Sequence, residues 1–140
     1  MDALYTAEVK VLGGREGSIE SSDGNLKHKL TMPKELGGAG GEGTNPEQLF
    51  AAGYGACFES ALANVARKEK VKLEGVEVNS QVTIGKDEAD GGFQLSVQLD
   101  VKIPNLDKSQ AQELLHKAHE FCPYSKATRG NIVVKLNAVD

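Results

Sequence analysis

Only two cysteines occur in the 140 residues, positive charge is not in excess, and long apolar runs are missing. Each shortage removes a class of protein. Two cysteines are too few for the disulfide framework of a secreted scaffold, so they are better read as chemistry than as architecture. Sixteen Lys and Arg against twenty Asp and Glu leave a net charge of -4 and a pI near 5.4. That balance argues against nucleic acid or an anionic membrane as partner, because both are held through cationic surface. No run of roughly eighteen apolar residues exists, so no membrane span is expected. The start, MDALYTAEVKV, has no basic segment followed by an apolar stretch and does not read as a signal peptide. The expected setting is the cytoplasm.

What is present suits one globular domain over residues 1–140. Hydrophobic residues are 39% of the chain, and sixteen glycines bring the apolar total to about half. A chain of this size buries roughly two thirds of its unfolded surface and needs no staples to fold. Tyr5, Ala7, Val9 and Val11 alternate with polar neighbours, the period of a half-buried strand. A second extended run begins at Arg15-Glu16-Gly17, Asp23-Gly24 reads as a two-residue hairpin, and Leu26 to Met32 forms a third strand. Residues 37–43, GGAGGEG, form a loop.

A helix then opens with Asn45 as cap, Pro46 at its first position and Gln48 as capping-box partner. From Leu49 to Phe58 nearly every residue is apolar or small, which predicts a central helix, and cations gather at its end around Arg67-Lys68. Val76, Val78, Val82 and Ile84 mark one strand, and strict alternation from Phe93 to Ile103 marks the next, with a hairpin at Asp90-Gly91-Gly92. A second helix runs from about Asp107 along Ala111, Leu114, Leu115, Ala118 and Cys122, closed by Pro123. Ile132, Val134, Leu136 and Ala138 give the last strand. The order β-β-β-α-β-β-α-β, without repeat or linker, indicates an α+β domain with antiparallel sheets.

Three patterns carry candidate chemistry. Gly38, Gly40 and Gly43 spell G-x-G-x-x-G, but no βαβ unit surrounds them and Pro46 removes an amide a phosphate would need. Glu113, His116 and His119 stand at helical spacing, yet a di-iron site needs a second E-x-x-H and further Glu residues that the chain lacks. Solvated or capping histidines fit better, His28 being isolated, and neither a metal nor another cofactor is expected. The third pattern is the cysteine pair. Free cysteine often merely packs. Here Cys122 is followed at once by Pro123, and both cysteines lie on apolar faces, so they can meet although 65 positions apart. A reactive thiolate in apolar surroundings needs a cation. Arg67 stands about 15 Å along the helix from Cys57, which leaves Arg15 and Arg129.

The segments GGREG, TMPKELGGAGGEGTNPEQLFAAGYGACF and AHEFCPYSKATRGNIVV resemble the organic hydroperoxide resistance family of the OsmC-like superfamily, end to end and in order. Pro-Tyr-Ser after the second cysteine and the Thr-Asn-Pro-Glu-Gln opening resemble this branch rather than the osmotically inducible one. The resemblance implies an intertwined homodimer and a thiol peroxidase that reduces organic (alkyl or fatty-acid) hydroperoxides. It implies Cys57 as peroxidatic residue, Cys122 as resolving residue, Arg15 as the cation on the thiolate and Glu47 as the carboxylate holding that arginine. It also implies a dithiol reductant of the dihydrolipoamide or lipoylated-protein kind. Gly55 stands where the family usually has Ala, and Lys126 where Asn is common. Leu49, Phe50 and Phe58 would give the substrate's R group apolar surroundings.

Two other classes compete: a small-lipid-binding protein with packing cysteines, and a protein thiol-disulfide oxidoreductase, which the lack of C-x-x-C disfavours. Helix geometry adds one expectation. Glu47 and Cys57 are ten residues apart on what reads as one helix, hence about 15 Å along its axis and nearly a quarter-turn apart. Glu47 then serves a site only from the partner chain, unless the helix breaks at Gly53 or Gly55. Two such helices packing antiparallel near a two-fold axis would build two shared sites.

Overall fold

A computed structural model describes residues 1–140. They fall into two compact units, residues 1–49 and 50–140.

The first unit is an antiparallel meander of β1 (Val9–Leu12), β2 (Ser18–Ser21) and β3 (Lys27–Lys29). The first strand is shorter than the alternation from Tyr5 predicts, because β2 offers it only four partners, from Val9↔Ser21 to Leu12↔Ser18. Leu4 and Tyr5 are exposed. Arg15 does not start a strand; Gly14–Glu16 is a 3-10 turn. The Asp23-Gly24 hairpin is present but wider than two residues, closing where the Ser21 N–H donates to the Leu26 carbonyl. Inside it the Asp23 carboxylate accepts from the Ser21 hydroxyl and the Asn25 N–H, the side-chain turn typical of aspartate. Beyond β3, Leu30 makes a single bridge to Thr44.

Helix α1 (Pro46–Lys68) follows. Asn45 caps it by accepting the Gln48 N–H at 2.8 Å. The capping box is only half made, since the Gln48 side chain accepts from the Thr44 hydroxyl instead of reaching back to Asn45. The second unit holds the rest of α1, then β4 (Glu77–Lys86), β5 (Phe93–Lys102), α2 (Lys108–Phe121), α3 (Pro123–Thr128) and β6 (Val134–Val139). Helical structure runs through Gly53 and Gly55 without a break.

The core joins Tyr54, Phe58 and Leu62 of α1 to Val97, Leu99 and Val101 of β5 and to Leu114 and Leu115 of α2. Burying each such side chain contributes about 1.5–3 kcal/mol. β4 and β5 pair antiparallel over ten positions. β6 pairs with β5 in parallel, so the sheet is mixed rather than wholly antiparallel as the sequence reading had it. The reason is the connection: the chain leaves β5, crosses through α2 and α3 and re-enters in the same direction, as a parallel pair requires. On the sheet's outer face the Asp100 carboxylate gathers the amides of Gln81 and Asn137 at 2.8 and 2.9 Å, tying the three strands together.

Two features of the helices differ from the sequence reading. Pro123 does more than end α2, for it opens the short α3. And α1 is not covered all round: Tyr54, Phe58 and Leu62 are buried, whereas Ala52, Ala56 and Ala63 are exposed.

Candidate active site

In the second unit the two cysteines meet. Cys122 closes α2 with its N–H on the Ala118 carbonyl. Its backbone then turns extended (φ -68°, ψ 127°), because a following proline disfavours helical geometry. Pro123 starts α3 at once, so Cys122 sits at a corner between two helices. Its sulfur is fully buried and lies 3.7 Å from the Cys57 sulfur on α1. Both are free thiols; a disulfide would need about 2.05 Å.

Burial pushes the Cys57 thiol above its ordinary value near 9, opposed by the nearby Tyr124 backbone amide. The neighbouring Cys122 thiol adds to the rise. Arg129, one of the two arginines the sequence leaves as candidates, donates to the His119 carbonyl at 2.9 Å.

The other candidate, Arg15, belongs to the first unit. Gly13 (φ 76°) and Gly14 (φ 56°) take left-handed conformations that side chains resist. They throw the chain into the tight turn that presents Arg15 between β1 and β2. Its guanidinium grips Glu47 with two parallel bonds, Nη1 to Oε2 at 2.9 Å and Nη2 to Oε1 at 2.7 Å. Glu47 stands in the first turn of α1, where an anion is favoured. Arg15 holds the Glu47 carboxyl below the usual carboxylate range, and Glu47 raises Arg15. A guanidinium fixed this way has a defined direction, which a lysine ammonium would lack.

The four expected residues thus appear as two built pairs, Cys57–Cys122 and Arg15–Glu47. Of the apolar surroundings named from sequence, Phe58 is fully buried in the core and cannot line a surface. Phe50 packs edge-on against Tyr54 and Tyr124, with ring centres 6.2 and 6.4 Å apart. The sequence signals Tyr124 only by its place in the Cys-Pro-Tyr-Ser run. A Cβ at Gly53 would fall 2.8 Å from its hydroxyl, so glycine there is what lets the ring lie against α1.

His119 is not a solvated histidine: its Nδ1 lies 2.8 Å from the Ser125 hydroxyl, and burial lowers its pKa. His116 lies beside Gln112 on the same helix. No group of three or more His, Cys, Asp or Glu side chains converges. Of the G-x-G-x-x-G glycines, Gly38 and Gly43 lie against neighbouring backbone, a Cβ at Gly43 falling 2.5 Å from the Thr31 nitrogen, and Gly40 takes a left-handed conformation (φ 72°).

The family described as OsmC-like protein matches residues 38–137. The chain is 56% identical over 134 residues to the organic hydroperoxide resistance protein of Xanthomonas axonopodis pv. citri, covering 95% of this chain and 93% of that protein. Among solved structures it is similar to the organic hydroperoxide resistance protein OhrB of Bacillus subtilis, with TM-score 0.91, 53% identity, and 98% and 100% of the two chains covered. A Legionella pneumophila organic hydroperoxide resistance protein is similar with TM-score 0.92 and 52% identity, over 99% and 100% of the two chains.

Proposed function

The chain belongs to the OsmC-like family, among the organic hydroperoxide resistance proteins, and from that footing we propose that it is a thiol peroxidase for organic hydroperoxides. The observation that carries the reading is the 3.7 Å separation of two free sulfurs from distant parts of the chain. The Cys57 thiolate attacks the distal oxygen of ROOH. The O–O bond breaks, the alkoxide takes a proton and leaves as ROH, and Cys57 becomes a sulfenic acid. The Cys122 thiol then displaces water from that sulfenic acid, giving a Cys57–Cys122 disulfide before irreversible oxidation to sulfinic acid can occur. A dithiol of the dihydrolipoyl class returns the two electrons by thiol-disulfide exchange and leaves as its own disulfide.

Burial alone would keep Cys57 protonated, so the reaction needs a cation. Arg15 takes that role: it stabilises the thiolate and donates to the peroxide oxygens, with Glu47 aiming its fork. The protein acts in the cytoplasm as a homodimer, and the Arg15–Glu47 pair serving each Cys57 comes from the partner chain. Supporting this are the ten-residue separation of Glu47 and Cys57 along a helix and the exposed Ala52, Ala56 and Ala63 available for close helix packing. A stable monomer with full activity would overturn the shared site.

The test is a thiol count. One equivalent of an alkyl hydroperoxide should remove both thiols, with an intrachain disulfide and no mass doubling on a non-reducing gel. Retention of both thiols would sink the peroxidase and favour the lipid-binding reading.

A further inference from the structure

Behind the sulfur pair runs a buried chain of hydroxyls that the peroxidase chemistry does not use. Tyr54 stands one helical turn before Cys57 and has no exposed surface. Its hydroxyl lies 2.8 Å from Ser125 Oγ and 3.1 Å from Thr128 Oγ1, both on α3. Ser125 Oγ is in turn 2.8 Å from Nδ1 of His119 on α2. Burial asks only that each hydroxyl find a partner. Here one serine bonds to two other helices at once, and the network spans the corner at Cys122, with His119 before it and Ser125 after it. Tyr124, whose backbone amide favours the Cys57 thiolate, belongs to the same short helix.

We infer that Tyr54, Ser125 and His119 form a clamp that positions the thiol pair: the network ties both helices flanking Cys122 to the helix carrying Cys57 and keeps the two sulfurs within disulfide-forming range. No hydrogen bond joins any of the three to the reacting sulfurs; they are positioning residues. The inference deepens the proposed thiol cycle and rests on it for its purpose, but its physical content is the effective concentration of one thiol at the other. Removing only the Tyr54 hydroxyl should lower that concentration.

The test is the equilibrium of the Cys57–Cys122 disulfide against a dithiothreitol redox buffer, compared between wild type and Tyr54→Phe. A shift of about tenfold toward the dithiol is expected, equivalent to about 30 mV for a two-electron couple. Ser125→Ala should shift it in the same direction and provides the measurement if Tyr54→Phe does not fold. A merely structural network would lower the urea midpoint and leave this equilibrium unchanged. An equilibrium within twofold of wild type in the folded variant, whatever its stability, overturns the clamp. Because no peroxide enters the assay, a wild-type protein inert to hydroperoxides but with the expected shift would overturn the peroxidase reading and leave the clamp standing.

Discussion

The Cys122 sulfur lies 3.7 Å from the Cys57 sulfur although 65 residues separate them, and it does so because a proline turns the chain immediately after Cys122. A disulfide would bring the two sulfurs to about 2.05 Å. The two positions should therefore behave as distinct steps of one cycle. Cys57→Ser should lose peroxide reduction entirely. Cys122→Ser should consume one equivalent of hydroperoxide to reach the Cys57 sulfenic acid without turning over, and a second equivalent should convert it to sulfinic acid, detected by mass spectrometry. Normal cycling of Cys122→Ser with a dithiol would refute the resolving assignment.

Arg15 should matter to rate far more than to folding. Its side chain is one third exposed, and a pair of this kind stabilises by about 1 kcal/mol or less after solvent screening. Loss of the charge and the donors should nevertheless lower kcat/KM about 100-fold in Arg15→Ala, the usual scale for removing a transition-state donor. Arg15→Lys should recover part of that. Full activity in Arg15→Ala would transfer the role to Arg129.

The Cys57 titration separates these effects. Burial and the neighbouring thiol push its pKa up, so a thiolate without a cation would form only in alkaline solution. On the proposed role of Arg15, Arg15→Ala should move the midpoint of the pH profile of Cys57 alkylation upward. An identical midpoint in wild type and Arg15→Ala would show that Arg15 does not act on the thiolate.

Glu47 should give the pair its acid sensitivity. Its folded pKa lies below the ordinary 4.5 because Arg15 bonds to the carboxylate. A depressed folded pKa contributes stability that is fully present above the unfolded value and is lost as pH falls through the folded one. The stability difference between wild type and Glu47→Gln should therefore be constant above about pH 5.5 and shrink below about 4.5. Urea unfolding across that window checks it, and a difference that grows on acidification would contradict the sign.

Two glycines of α1 should respond oppositely to alanine. At Gly55 a new Cβ meets the Ser80 Cβ at 3.2 Å, with Val78 Cγ1 and Ser80 Oγ in ordinary contact at 3.8 and 3.9 Å, and alanine gains up to about 1 kcal/mol over glycine inside a helix. Gly55→Ala should thus raise the urea midpoint and leave turnover unchanged. At Gly53 the Cβ would press on the Tyr124 hydroxyl at 2.8 Å and on its ring at 3.3 Å. Gly53→Ala should displace Tyr124 and slow turnover several-fold, with the helix gain masking most of the loss in stability. A destabilised Gly55→Ala would mean that Ser80 cannot yield.

Residue pattern alone determined the α+β class, the two long helices and the β4–β5 hairpin, because alternation and helical spacing are local properties set by which face is buried. It also singled out Cys57 and Cys122, since a thiol's chemistry is legible from residue type. The four proposed site residues together came from motif resemblance, not from spacing. Three matters were settled only by tertiary structure. The direction of β6 depends on how the α2–α3 crossover returns, which no strand's own sequence encodes. The short α3 was hidden because Pro123 reads equally as the end of one helix and the start of another. The Tyr54–Ser125–His119 contacts join three helices, and whether a buried hydroxyl or a ring nitrogen finds a partner is decided by packing between segments distant in the chain, where single-residue propensity has nothing to say.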